Sequence, residues 1–271
     1  MPSLQSFKNW HSTVISAKNY WYGRRGEPIT YGQHRLRYIP GTRPVRLKYV
    51  DSTDLVVRND ARQLQFFVER VKPGNFVMDI GGNAGQYAVL FSSLVGPSGK
   101  VISFEPDPAH RSVLIKNLEL NRFASRALVE EFALSDLNGS HSFYSRNDQM
   151  SSLVKSGLGT NAGLTDVREY KVKTTRLDDY LSRGKLGFPD WVKVDTEGAE
   201  INVLRGAGEL LKSKAVIVCE LHPYAWNEFQ TSFDELLSIV RGSQRKIRYL
   251  DAAFDIESGP LHSTVIISKS E

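Results

Sequence analysis

The chain is poor in cysteine: Cys219 stands alone among 271 residues. A disulfide within the chain is therefore excluded. Cys219, inside the apolar run AVIVCEL, reads as a buried structural thiol in a reducing compartment. No apolar run approaches the roughly 20 residues that span a bilayer. The opening MPSLQSFKNWHSTVIS lacks the charged head and apolar stretch of a secretion signal, so a cytoplasmic location is the expectation. Internal repeats and low-complexity tracts are missing as well. So are the G-x-G-x-x-G of dinucleotide sites and the G-x-x-x-x-G-K-[ST] of phosphate-binding loops.

What remains is an ordinary globular composition, 41% hydrophobic and 24% charged. The net charge of +5 is uneven, because residues 1 to 60 hold ten Lys/Arg against four acids while the remainder is about neutral. The segment KNYWYGRRGEP is basic and aromatic, which suits an anionic partner such as RNA and equally a solvated face.

From Asn75 onward, short β-branched runs alternate with amphipathic stretches, the pattern of βαβ units around a parallel sheet. NFVMDI, VISFE, RALVEEFAL, DWVKVD and KAVIVCEL read as core strands, and GSHSFYS as a strand outside that rhythm. A helix is expected from Ala84 to Val95. A second is capped by Asp107 with Pro108 at its first turn; AEINVLRGAGELLK and SFDELLSIVRG are two more. KIRYLD and HSTVIISK close the sheet as an antiparallel pair. The polar stretch from Arg146 to Asp166 is expected to be a wall over the substrate. YGQHRLRYIPG and PVRLKYV are candidate strands of a basic N-terminal extension, residues 1–60, ahead of a catalytic domain at 61–271.

The glycine loop DIGGNAG sits between a strand and a helix, where backbone amides face a ligand. Asp79, Gly81, Asn83 and Gly85 occupy alternate positions. A carboxylate at this point repels pyrophosphate but pairs with an ammonium-bearing cofactor. S-adenosyl-L-methionine is such a cofactor, and Glu105, ending the next strand, is placed to accept from both ribose hydroxyls.

In order and spacing, MDIGGNAGQYAVLFSSLVGPSGKVISFEPDP, NLELN, EEFALSDLNGSHSFY, TTRLDDYL, DWVKVDTEGAEINVLRGAGELL and CELHP resemble the FkbM-type S-adenosylmethionine-dependent methyltransferases. The resemblance runs from about Val71 to about Tyr249, with Gly82 where the family often has alanine. It implies a Rossmann-like class I α/β fold, with a mostly parallel seven-stranded sheet and an antiparallel C-terminal strand. It also implies methyl transfer to oxygen. Carried over, Asp79, Gly81, Asn83 and Gly85 line the methionine end and Glu105 the ribose, with Gly82 and Tyr87 also among the cofactor-binding residues. Phe104 and Pro106 flank the adenosine, Ala133, Leu134 and Ser135 lie near the adenine, and Asp195 closes the site.

A hydroxyl acceptor gains from a base or a metal that takes its proton. Asp195, Glu197 and Glu200 in KVDTEGAE, and Glu220 and His222 in CELHP, end neighbouring strands. In one reading His222 is the base, oriented by Glu220 or Asp195. In another, Asp195, Glu220 and His222 hold a divalent cation such as Mg2+. Glu197 and Glu200 also suit the dipole of the following helix, and Lys193 suits an ion pair with Asp195. His11, His34, His110, His141 and His262 are isolated in the sequence.

The expected activity is thus O-methylation of a small-molecule or glycan acceptor such as a sugar or polyketide, releasing S-adenosyl-L-homocysteine. The alternatives are a methyltransferase for RNA or another polymer, and, in another class, a non-catalytic binder or NAD-dependent oxidoreductase. The Asn-Pro-Pro-aromatic tetrad of amine-directed transfer is missing, which disfavours nucleic acid. The oligomeric state, a homodimer included, stays open.

Overall fold

The computed structural model describes residues 25–146, 151–155 and 167–269. Lys18 to Arg24 of KNYWYGRRGEP and most of the polar stretch 146–166 lie outside the described residues. A hairpin comes first, β1 (Glu27–Tyr31) with β2 (His34–Tyr38), and then α1 (Leu55–Arg70), capped by the Asp54 carboxylate. PVRLKYV is not a strand, because Leu47–Tyr49 form a 3-10 turn.

The βαβ expectation is met by β3 (Phe76–Ile80), α2 (Gln86–Leu94), β4 (Lys100–Phe104), α3 (Pro108–Leu120) and β5 (Ala127–Glu130). Asp107 caps α3 by accepting from Ala109 and His110 at 2.7 and 3.1 Å. RALVEEFAL divides into β5 and a short β6 (Ala133–Leu134). The latter joins β7 (Gly139–Ser145), β8 (Ser151–Ser152) and β9 (Arg168–Thr175) in a second, four-stranded sheet.

After α4 (Leu177–Arg183) and β10 (Trp191–Val194), the expected single helix breaks into α5 (Glu200–Arg205) and α6 (Gly208–Lys212). The break falls at Gly206, where an added Cβ would stand 2.2 Å from the Ser135 carbonyl oxygen. Next come β11 (Val216–Glu220), α7 (Trp226–Phe229), α8 (Phe233–Gly242), β12 (Arg245–Tyr249) and β13 (Thr264–Lys269).

The main sheet has seven strands in the order β5-β4-β3-β10-β11-β13-β12. All pairings are parallel except those of β13, which enters antiparallel between β11 and β12. Alternation along β3 divides the core: Met78 and Ile80 join the cluster with Leu204 and Leu236, while Val77 joins the cluster with Phe67, Phe91 and Leu114.

The N-terminal hairpin packs on this second cluster and is not a detached cap. Asn117 and Asn121, one helical turn apart in NLELN, hold it: Asn117 Oδ1 accepts from Ile39 N at 2.7 Å, and Asn121 Oδ1 from Arg37 N at 2.8 Å. Residue 60, the expected division, falls inside α1. None of the helices among the described residues is long and apolar enough to cross a membrane.

Candidate active site

Two cavities meet at the C-terminal ends of the central strands, where open α/β sheets bind ligands. The first, of about 600 Å3, opens over the ends of β3, β4 and β10. Gly81, Asn83, Phe104, Glu105, Pro106, Ala133, Leu134 and Asp195 line it as the sequence led one to expect, with Phe132, Phe143, Thr196 and Glu197 besides. Its character is divided: aromatic and aliphatic groups at the β6 side, carboxylates at the β10 side. Such a division fits S-adenosylmethionine, whose adenine is apolar and whose methionine end is cationic.

Glu105 is the anchor of this cavity. It is buried, and its two carboxylate oxygens accept the backbone amides of Asn83 at 2.6 Å and Asp107 at 2.7 Å. Burial pushes its carboxyl up to about 8, against those two amides. The loop can approach because Gly81, at φ +88°, passes so near β10 that a Cβ would lie 1.8 Å from the Asp195 carbonyl oxygen.

Five expected cofactor residues do not line this cavity. Asp79 shares the strand face of Val77, not the face of Ile80, and is buried under the loop. One of its oxygens accepts from Ser103 Oγ at 3.0 Å and the other has no hydrogen-bond partner. Burial raises it to about 6, with the Lys193 ammonium opposing. Gly82 and Gly85 instead let the loop pack against Ser103 and Leu114. Ser135 bonds Asp136 at 3.0 Å. Tyr87 faces the other cavity, with Lys193 Nζ 4.6 Å from its ring centre.

The second cavity, of about 870 Å3, is lined by Tyr87, Glu220, His222, Tyr224 and His262, and by Arg43, Val56 and Asp60 of the N-terminal segment. Asp195 and Glu197 line both cavities and are the wall between them. Asp195 Oδ2 pairs with the buried Lys193 at 2.9 Å. Burial would raise the Asp195 carboxyl, but the charges of Lys193 and His222 outweigh it and hold it below its usual value. Glu197 adopts a left-handed backbone, φ +51°, and accepts from Tyr224 Oη at 2.7 Å. Burial first, then the Asp195 and Glu220 carboxylates, push Glu197 up to about 7.

His222 is oriented by Glu200, not by Glu220 or Asp195. Its Nδ1 lies 2.8 Å from Glu200 Oε1, while Nε2 is 3.5 Å from Glu197 and 3.8 Å from Asp195. Glu200 is wholly buried and also accepts from Gly198 N and Trp226 Nε1, so it does far more than cap α5. Burial alone would lower the His222 imidazole. The carboxylates of Glu200, Glu197 and Asp195 outweigh it and hold it well above its usual value. Those three carboxylates thus favour the protonated ring, against its burial.

The oxygen-rich Mg2+ set of Asp195, Glu220 and His222 does not form as one group. Glu220 and Asp195 fall into separate trios, Glu220–His222–His262 and Asp195–Glu197–His222, each with imidazole nitrogen. His262, isolated in the sequence, stands with its ring centre 4.9 Å from that of His222.

Residues 79–249, more than half of the chain, match the family described as the methyltransferase FkbM domain. The chain belongs to the FkbM methyltransferase family. Over 169 residues it is 26% identical to the hexuronic acid methyltransferase AglP of Haloferax volcanii, covering 61% of this chain and 64% of that one. Over 189 residues it is 29% identical to the 2-O-methyltransferase NoeI of Sinorhizobium fredii, covering 66% of this chain and 75% of that one. The match to AglP thus spans a little under two thirds of AglP's length. Among solved structures, methyltransferase FkbM from Methylobacillus flagellatus superposes at TM-score 0.45 and 15% identity, covering 80% of this chain and 55% of that one.

Proposed function

We propose that the chain is an S-adenosylmethionine-dependent O-methyltransferase whose acceptor is a hydroxyl of a sugar or a similarly polyhydroxylated small molecule or glycan. The observation that carries this reading is the wall of Asp195 and Glu197 shared by the two cavities. A methyl group presented from the first cavity meets an acceptor oxygen in the second across that wall. Bound in the first cavity, the cofactor supplies a methyl group on a sulfonium centre. Glu105 would accept from the ribose, Asn83 and Gly81 would shape the loop around the methionine end, and Phe104, Pro106, Ala133 and Leu134 would flank the adenosine.

For proton removal the geometry favours Glu197, whose carboxyl, near 7, suits a base working at neutral pH. Asp195 stays ionised beside Lys193 and supports the cationic centre electrostatically. The carboxylates of this wall and Glu200 hold the His222 imidazole above its usual value, and Glu220 faces the acceptor from the far side. Carboxylates and the rings of Tyr87 and Tyr224 together suit a polyol, accepting its hydroxyls and covering its apolar face. The names of AglP and NoeI, a hexuronic acid and a 2-O position, belong to the same chemistry.

A nucleic-acid acceptor is disfavoured by the acid-lined second cavity. Several N-terminal cations also have internal partners: Arg43 with Glu27, and Arg58 and Arg62 with Asp251. A dinucleotide is disfavoured by Asp195 and Glu197 in the first cavity. The test is calorimetric titration of S-adenosylhomocysteine into the full chain, followed by labelled cofactor with a panel of hexosides, hexuronides and polyketide alcohols. Folded protein that binds no S-adenosylhomocysteine sinks the reading.

A further inference from the structure

Beside the wall of Asp195 and Glu197, the acceptor cavity holds a second cluster of titratable side chains. Glu220 ends β11, His222 follows it, and His262 stands just before β13; one ligand atom of each lies within 4.8 Å of the others. We propose that Glu220, His222 and His262 bind a single divalent transition-metal ion on the inner wall of the acceptor cavity. The function given to this ion rests on the acceptor assignment above.

Both ends of the cluster are prepared for such an ion. The contact between His222 Nδ1 and Glu200 fixes the ring and turns Nε2 toward the cavity, as a carboxylate behind a metal-binding imidazole does. The oxygens nearest to Nε2, at 3.5 and 3.8 Å, are too far for hydrogen bonds, although His222 is only 3% exposed. Glu220 is steered from α1: Asn59 Nδ2 stands 3.4 Å from Oε1 and Gln63 Nε2 3.4 Å from Oε2. Neither amide neutralises it. Its oxygen lies 3.7 Å from His262 Nε2. Around a tetrahedral ion with bonds of about 2.1 Å, ligand atoms stand about 3.4 Å apart, so small side-chain movements complete the site.

The alternative trio is less suited, because Asp195 already has Lys193 as its counter-ion and Glu197 is held by the Tyr224 hydroxyl. Two imidazole nitrogens with one carboxylate oxygen favour Zn2+, Fe2+ or Mn2+ over Mg2+, which demands oxygen. Coordination needs the Nε2 lone pair, so any proton there is released to solvent as the ion binds. Open positions on the ion would hold the acceptor hydroxyl and lower its pKa opposite Glu197, which then receives the proton.

Zinc titrated calorimetrically into the chelator-treated full chain should bind at one equivalent, and cobalt in its place should give the visible bands of a nitrogen-ligated ion. His262→Ala, at a side chain 43% exposed and therefore compatible with folding, should weaken zinc binding by about 100-fold. Glu220→Gln should do the same. His141→Ala, whose ring bonds Thr174 at the second sheet, should change nothing. Zinc binding no tighter than millimolar, or unchanged in both cluster variants, overturns the metal site. S-adenosylhomocysteine titrated into the same samples keeps the two readings apart: if it binds while zinc does not, only the metal site fails.

Discussion

Replacing Asn117 by alanine removes the clamp that joins the N-terminal hairpin to the catalytic core. Asn117 is fully buried, accepts from Ile39 N at 2.7 Å, and donates to Thr42 Oγ1 at 2.9 Å and Ala84 O at 2.8 Å. Three neutral hydrogen bonds at about 1 kcal/mol each give a loss of about 3 kcal/mol, with more if Ile39 N and Ala84 O find no water. Urea denaturation measures this directly, and amide exchange at Ile39 and Arg37 locates it. Arg43, next to the clamped Thr42, lines the second cavity, so acceptor methylation should fall further than S-adenosylhomocysteine affinity. A loss below about 1 kcal/mol, with unchanged exchange at Ile39, would refute the claim that this segment is part of the core.

Other consequences can be checked as readily. Glu105→Gln turns one of its two amide-accepting oxygens into a donor, so S-adenosylhomocysteine affinity should drop by about 10- to 100-fold in calorimetry; an unchanged affinity would remove Glu105 from the cofactor site. Gly206→Ala pushes a methyl group against the Ser135 carbonyl, and thermal unfolding should register about 1–3 kcal/mol of destabilisation. Burial, with the Glu220 and Asp195 carboxylates, pushes Asp60 up to about 7, so the folded chain keeps a proton that the unfolded chain has released. That contribution is complete below 3.8, its ordinary value, and is lost as the pH climbs toward 7. Urea midpoints taken from pH 5 to 8 should therefore fall less steeply in Asp60→Asn, and identical slopes would contradict the assignment.

The sheet was legible because each core strand carries a β-branched run closed by a glycine or an acid, and such signals are local. The lining of the first cavity takes Gly81 and Asn83 from DIGGNAG together with Glu105, all adjacent to strand ends. Asp79 does not line that cavity, because strand alternation sends it under the loop while Ile80 takes the cavity side. Glu200 escaped because its partner, His222, lies 22 positions along the chain and a helix start already explains an acid. His262 and the wall around Arg43 and Asp60 carry no motif at all. Only tertiary packing delivers them, His262 beside β13, Arg43 next to the Thr42 that Asn117 holds, and Asp60 on α1.

The hydrogen bond from Gln63 Nε2 to Thr264 Oγ1, at 2.8 Å, joins positions 201 residues apart, and Asn59 reaches Thr264 N alongside it. During synthesis the residues lining the cofactor cavity, the last of them Ala199, leave the ribosome well before His262 and β13. A nascent chain therefore carries every lining residue of the first cavity before the second cavity has its last, His262. Insertion of β13 between β11 and β12 closes the wall of that cavity. The order of emergence thus ties completion of the second cavity to the arrival of a late strand.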